Sequence, residues 1–191
     1  MNKFMCSVVD ALAAHDTDDP MEQRHLEALR ALTKAPEDAT RRDHWDPGHF
    51  TASAFVVSPD HSALLLINHR KLKRWLQPGG HIEPTDETLE AAARREVAEE
   101  TGVYAMSTVG AGLLDVDVHE IPAHGDAPAH LHHDLRMAFI AETWELTGDE
   151  QEVAGVQWFS WQSLADDEVA TDASVRRAVQ RLKIRLGLKD A

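Results

Sequence analysis

The chain has one cysteine, a shortage of positive charge and no long apolar run. Cys6 alone cannot form an internal disulfide, which points to a reducing, cytoplasmic setting. It stands among apolar neighbours in FMCSVV and reads as a packed thiol rather than a nucleophile. Against 33 Asp and Glu there are only 19 Lys and Arg, a formal charge of −14. That balance argues against non-specific attraction to nucleic acid or to anionic membranes. It leaves room for a phosphorylated ligand, because bound cations invert the local sign. No stretch approaches the ~20 apolar residues of a membrane helix, and no basic-then-apolar leader opens the chain. The 191 residues suffice for one hydrophobic core and fall short of two full domains.

What is abundant is acid, and it is placed with regularity. Between Gly79 and Val103 the chain reads GGHIEPTDETLEAAARREVAEETGV. A Gly-Gly turn precedes a helix carrying Arg95, Glu96, Glu99 and Glu100, which Gly102 stops. Residues three and four apart share a helix face, so Glu96, Glu99 and Glu100 converge on one side. Three carboxylates so close repel one another, and hard divalent cations such as Mg²⁺ or Mn²⁺ relieve the repulsion. Two residues without side chains at the turn let backbone approach a ligand closely.

This stretch resembles the Nudix box, G-x5-E-x7-R-E-U-x-E-E-x-G-U with U aliphatic. From Glu87 to Val103 every fixed position is filled. Upstream, Gly80 and Glu87 are separated by six residues rather than five. Either the loop carries one extra residue, or Asp86 takes the place of the first box glutamate. The resemblance implies an α/β/α sandwich around a mixed sheet. It also implies a metal-dependent hydrolase of phosphoric anhydrides, with the Gly79 carbonyl joining Glu96, Glu99 and Glu100 around Mg²⁺ or Mn²⁺. Glu99 is the first choice of general base, with Glu96 and Glu100 the firmer metal ligands. Glu87 and Arg95 are expected to form the ion pair that braces loop against helix. A further acidic ligand is expected ahead of Trp158, where Glu152 fits better than Glu150.

The coarse order of elements agrees. Phe4, Val8 and Leu12, then Leu26, Leu29 and Leu32, recur at helical spacing on either side of HDTDDP. They predict a helical extension over residues 1–47, ahead of a Nudix domain over 48–191. FTASAFVVS and ALLLINH around Pro59-Asp60 predict a hairpin. Trp75-Leu76-Gln77 predicts a short strand into the Gly-Gly turn, and GAGLLDVDVHEI, LRMAFIAETWEL and VAGVQWFSW predict further strands. ASVRRAVQRLKIRLG predicts a closing helix.

Twelve histidines are the second excess, several of them in VHEIPAHGDAPAHLHHDLR. On a strand, His130, His132, Asp134 and Arg136 share one face, and Leu131, Leu135, Met137 and Phe139 mostly the other. Three readings of the polar face stay open: a zinc site, a substrate-cleft wall, or surface histidines. In the cleft reading Arg136 and His132 meet phosphate. His81, directly after the turn, lies beside the reaction centre, and Arg74 belongs to a locally basic segment that attracts phosphates. The expected ligand is a nucleoside diphosphate joined to another group. The alternative is a non-catalytic nucleotide-binding or regulatory module on the same fold. Monomer and homodimer are equally compatible with the sequence.

Overall fold

The computed structural model describes residues 3–35, 38–70, 72–147, 153–166 and 168–188. Two helices, α1 (Lys3–Ala14) and α2 (Pro20–Leu32), precede the strands β1 (Gly48–Val57), β2 (Ala63–His69), β3 (Arg74–Leu76) and β4 (Gly79–His81). Then come α3 (Leu89–Thr101), β5 (Met106–Thr108), β6 (Asp115–Ile121), β7 (His130–Ala141) and β8 (Val156–Ser160). The chain closes with α4 (Trp161–Ala165) and α5 (Ala173–Arg185). No helix among the described residues is long and apolar enough to cross a membrane.

All the strands join one mixed sheet. β1 and β2 form the expected antiparallel hairpin, with Val57 opposite Leu64. The axis of the sheet is the parallel pair β1–β7, in register from Gly48 opposite Leu131 to Val57 opposite Ile140. Parallel strands need a long crossover, here everything between β1 and β7, so this pairing has no local signature. Three short elements, β4, β5 and α4, are likewise not foreseen from the sequence; Gly79-Gly80, expected as a turn, opens strand β4.

Alternation along the strands sorts side chains to two cores. Phe50, Ala52, Ala54 and Val56 of β1 join Leu135, Met137 and Phe139 of β7 on one face. There they pack with Phe4, Val8 and Leu12 of α1, Leu26, Leu29 and Leu32 of α2, and Ala92, Ala93 and Val97 of α3. Phe55, Val57 and Ala138 face the other way, against Leu164 of α4 and Val175, Ala178, Val179 and Leu182 of α5. The result is a helix–sheet–helix sandwich.

The N-terminal helices are tied in by polar contacts as well. Ser7 Oγ accepts from the Leu89 amide at 3.0 Å, satisfying one of the orphan donors that open α3. Thr88 caps the same helix through the Ala91 amide at 3.1 Å. Glu22, 1% exposed, accepts from Thr17 Oγ1 and the Val116 amide, and also bonds His15 Nε2 and Arg181. One buried carboxylate thereby joins α2, β6 and α5.

Candidate active site

The Gly79-Gly80 turn lies where strand and helix nearly touch. β4 runs antiparallel to β1, with Gly79 opposite Ser53, Gly80 opposite Ala52 and His81 opposite Thr51. A Cβ on Gly79 would lie 2.3 Å from Ser53 Cβ, and one on Gly80 would lie 2.7 Å from Glu96 Oε2. Gly79, at φ +157° and hard against the β1 backbone, therefore excludes a side chain, whereas at Gly80 a Cβ would displace only the carboxylate end of Glu96. The Gly79 amide donates to Glu100 Oε2 at 2.8 Å. Glu96 and Glu100, one turn apart on α3, thus flank the loop backbone.

Arg95 organises the rest. Its Nη1 donates to Glu96 Oε1 at 2.9 Å and to Glu99 Oε2 at 2.8 Å, and its Nη2 donates to the His81 carbonyl at 2.9 Å. The fork of the guanidinium also grips Asp86, Nε to Oδ1 at 3.2 Å and Nη2 to Oδ2 at 2.9 Å. Burial works against the charge of Arg95, but Asp86 and Glu96 more than offset it and hold the guanidinium's pKa above its ordinary value.

Drawn by Arg95 and by the Gly79 amide, the three carboxylates do not meet at one point. Among the described residues the one grouping of three ligand atoms within 4.8 Å of each other is His49, His81 and His132. The box donors are nonetheless hard oxygens, with Glu96 beside Gly80 and Glu100 held by the Gly79 amide, which suits Mg²⁺ or Mn²⁺. The histidines lie on the opposite face of the sheet. Side chains of β4 alternate, so Gly80 meets the box helix while His81 points towards β1 and β7, its ring 5.1 Å from His49 and 5.2 Å from His132.

Beneath the histidines the same face carries a ladder of buried charge. Arg136, 2% exposed, donates to Asp134 at 2.9 Å, Asp115 at 3.0 Å and Ser174 at 3.0 Å, and sits 3.3 Å from Asp117. Arg177 of α5 adds bonds to Asp115 at 3.0 Å and Asp117 at 3.2 Å. Thr51, Ser53 and Gln77 donate to Asp134 at 3.1, 2.8 and 3.2 Å. Burial opposes the charge on Asp117, but His119 and Arg136 outweigh it and hold its carboxyl well below the usual range. On Asp115 burial wins and raises the pKa.

A NUDIX domain family model matches residues 47–179. The chain belongs to the Nudix family. A "Probable DHNTP pyrophosphohydrolase" from Lactococcus lactis subsp. cremoris (strain MG1363) is 34% identical over 109 residues, 57% of this chain. The match spans 61% of that relative's length. A NUDIX-family hydrolase from Clostridium perfringens superposes with a TM-score of 0.53 at 24% identity, covering 71% of this chain and 97% of the other. The NUDIX domain of Shewanella oneidensis NrtR, crystallised with ADP ribose, gives 0.52 at 20% identity, covering 72% of this chain and 87% of the other. These likenesses confirm the fold.

Within this Nudix domain two sequence expectations need correction. Arg95 does not pair with Glu87. Asp86 caps its own turn by accepting the Glu83 amide at 2.8 Å, and this fixes its carboxylate, 5% exposed, beneath Arg95. Glu87, one residue on, points outward with its side chain 72% exposed and bonds Lys3 of α1. The extra loop residue is thus accommodated after the acid that serves as the Arg95 partner. Arg136 is the second correction. Enclosed by three aspartates under α5, it is structural and does not face the cleft.

His132 and His81 do come together, with His49, which the sequence reading passed over because it lies 83 residues from His132. Burial, followed by the neighbouring imidazoles, depresses the pKa of His132 to about 2; burial and His81 depress His49 to about 4. His81 is lowered as well, mainly by burial. They are neutral at physiological pH and therefore lone-pair donors, not cationic phosphate binders. Arg74 is exposed at the start of edge strand β3, opposite His69, away from that group. Glu150 and Glu152 lie outside the described residues.

Proposed function

We propose that the chain is a divalent-cation-dependent pyrophosphohydrolase that cleaves the diphosphate linkage of a nucleoside diphosphate derivative by attack of water at phosphorus. The observation that supports this most is the box itself: Glu96 and Glu100 close against the Gly79-Gly80 backbone, with Arg95 spanning loop and helix. Glu96, Glu100 and the Gly79 carbonyl would hold Mg²⁺ or Mn²⁺, with Glu99 and Glu152 as further carboxylates. When bound, such cations offset the charge on the diphosphate oxygens and lower the pKa of a water.

The chain's own groups do the positioning. Arg95 fixes one oxygen of Glu96 and one of Glu99, which orients both carboxylates along one side of α3. Glu99, exposed on the solvent side of α3, is the one of the three best placed to accept that proton, as general base. The ligands named for related proteins differ, DHNTP in one case and ADP ribose in another. The linkage, not the leaving group, is therefore what this reading assigns. The same reading takes a reducing, cytoplasmic setting as its expectation, on the single Cys6.

The test is turnover of a panel of nucleoside diphosphate derivatives with Mg²⁺ and with Mn²⁺, beside the Glu100→Gln and Glu99→Gln variants. Each substitution should lower the rate by on the order of 100-fold or more while leaving the fold intact. Near-normal activity in either variant would remove that residue from the site. A silent panel from a folded, cation-binding protein would favour a nucleotide-binding module.

A further inference from the structure

The histidine face holds a feature that the hydrolase reading does not use. Five imidazoles crowd one end of the sheet: His49 from β1, His81 from β4, His119 from β6, and His130 and His132 from β7. Ring centroids lie 4.8 Å apart for His49 and His132, 5.0 Å for His49 and His130, and 5.5 Å for His119 and His132. Trp45 closes one side, its ring 4.6 Å from that of His130.

His49 is the informative member. It is 0% exposed, and its Nδ1 is 3.3 Å from the His44 carbonyl. A carbonyl only accepts, so Nδ1 must carry the proton and Nε2 must carry a lone pair. That buried Nε2 has no hydrogen-bond partner. A buried acceptor left unmet is unfavourable, and an apolar side chain would fill the position better unless something binds there. His130 and His119 are anchored in the same manner, Nδ1 to the Pro128 carbonyl at 2.8 Å and Nδ1 to Asp117 Oδ2 at 3.2 Å. Of His49, His81 and His132 it is His49 that is steadied through one nitrogen so that the other is presented, the usual arrangement of a metal-binding histidine.

We infer that His49, His81 and His132 form a binding site for a borderline divalent transition metal, Zn²⁺ being the representative ion, separate from the acidic box. One nitrogen of each lies within 4.8 Å of the others. Two nitrogens bound to a tetrahedral zinc lie about 3.4 Å apart, so modest ring rotations complete the site. Three neutral nitrogens suit Zn²⁺, Ni²⁺ or Co²⁺ and do not suit Mg²⁺, which takes oxygen. The fourth position is left to a water or to an anionic ligand. Strand β4 then separates two cation sites of opposite character, since Gly80 abuts Glu96 and the next residue supplies the His81 imidazole. The inference does not rest on turnover: a chain that hydrolyses nothing would keep this site.

The experiment uses the full chain stripped of metal by chelation, then titrated with Zn²⁺ calorimetrically and with Co²⁺ by visible absorption, in excess Mg²⁺. One equivalent should bind per chain, with the absorption of a low-coordinate nitrogen-ligated Co²⁺. His132→Gln and His81→Gln should each weaken binding by about 100-fold, whereas Glu100→Gln should leave it unchanged. X-ray absorption at the zinc edge of the wild-type protein provides a reading independent of any variant, and should show imidazole scattering. Loss of the site in Glu100→Gln with retention in both histidine variants would overturn the inference. So would an all-oxygen zinc shell, or no binding by folded wild-type protein.

Discussion

The box helix and the histidine face meet at three consecutive residues of β4, yet they are built in contrasting ways. The box is contiguous: its acids and its arginine come from Asp86 to Glu100, and a helix and a turn suffice to gather them. The histidine face is assembled from β1, β4, β6 and β7, in positions up to 83 residues apart. In the box every carboxylate has a donor. On the histidine face the charges beneath are fully paired, while the imidazole above them, His49, keeps an unmet nitrogen. A site made of local sequence can be read from local sequence, and a site made by strand pairing cannot.

The largest effect should come from breaking the support of the histidine face. Arg136 neutralises Asp115, Asp117 and Asp134, all of them buried. Arg136→Met keeps the volume but strands three carboxylates, and should destabilise by about 3–5 kcal/mol in chemical denaturation. Loss of under ~1 kcal/mol would mean that Arg177, Thr51 and Ser53 already satisfy the aspartates, making Arg136 dispensable.

This contrast also explains what was legible in the sequence. Helix α3 was, because Thr88, the apolar Leu89, Ala92, Ala93 and Val97, and the left-handed Gly102 (φ +74°) all specify one helix. So were α1, α2 and the β1–β2 hairpin, whose periodicity is local. The alternation of His130, His132, Asp134 and Arg136 is local and legible, but the burial of Arg136 among aspartates is not. Whether an arginine on a polar strand face meets substrate or three aspartates depends on β6 and α5, which approach only in the folded chain. His49 carried no signal in GHFTAS, because only the parallel pairing of β1 with β7 brings it opposite His132. The Asp86 exchange was open in the sequence and was decided by a side-chain-to-backbone turn.

The second prediction sharpens the box side of the comparison. Asp86→Asn removes the charge from a partly buried, two-pronged partner of Arg95 and should destabilise by about 1–2 kcal/mol, with lower turnover as the loop loosens. Glu87→Gln, altering an exposed pair with Lys3, should leave denaturation midpoint and rate unchanged within error. If the Glu87 variant proved the more damaging of the two, the assignment of Asp86 as the brace would be wrong.

The smallest effect per group, and the one that separates the two regions most cleanly, is the response of the chelated protein to acid. Burial is the main cause that lowers His49 and His133 to about 4 and His132 to about 2, from an ordinary 6.5. Below pH 6.5 the unfolded chain takes up these protons and the folded chain does not, so stability is present in full above that pH. It is lost as pH falls towards about 4 for His49 and His133, and further still for His132. Each imidazole contributes at most about 1.4 kcal/mol per pH unit in that window. The carboxylates held low by their partners, Glu22 and Asp117, titrate when unfolded near 4.5 and 3.8, so their losses begin at lower pH. Denaturation midpoints at pH 7, 6 and 5 therefore report these buried imidazoles, His49 and His132 of the histidine face and His133 behind it, ahead of the carboxylates. His132→Gln should flatten the slope by about one proton, and Glu100→Gln should not move it. An unchanged slope in the His132 variant would show that its imidazole is as readily protonated folded as unfolded, which its enclosure by four other imidazoles forbids.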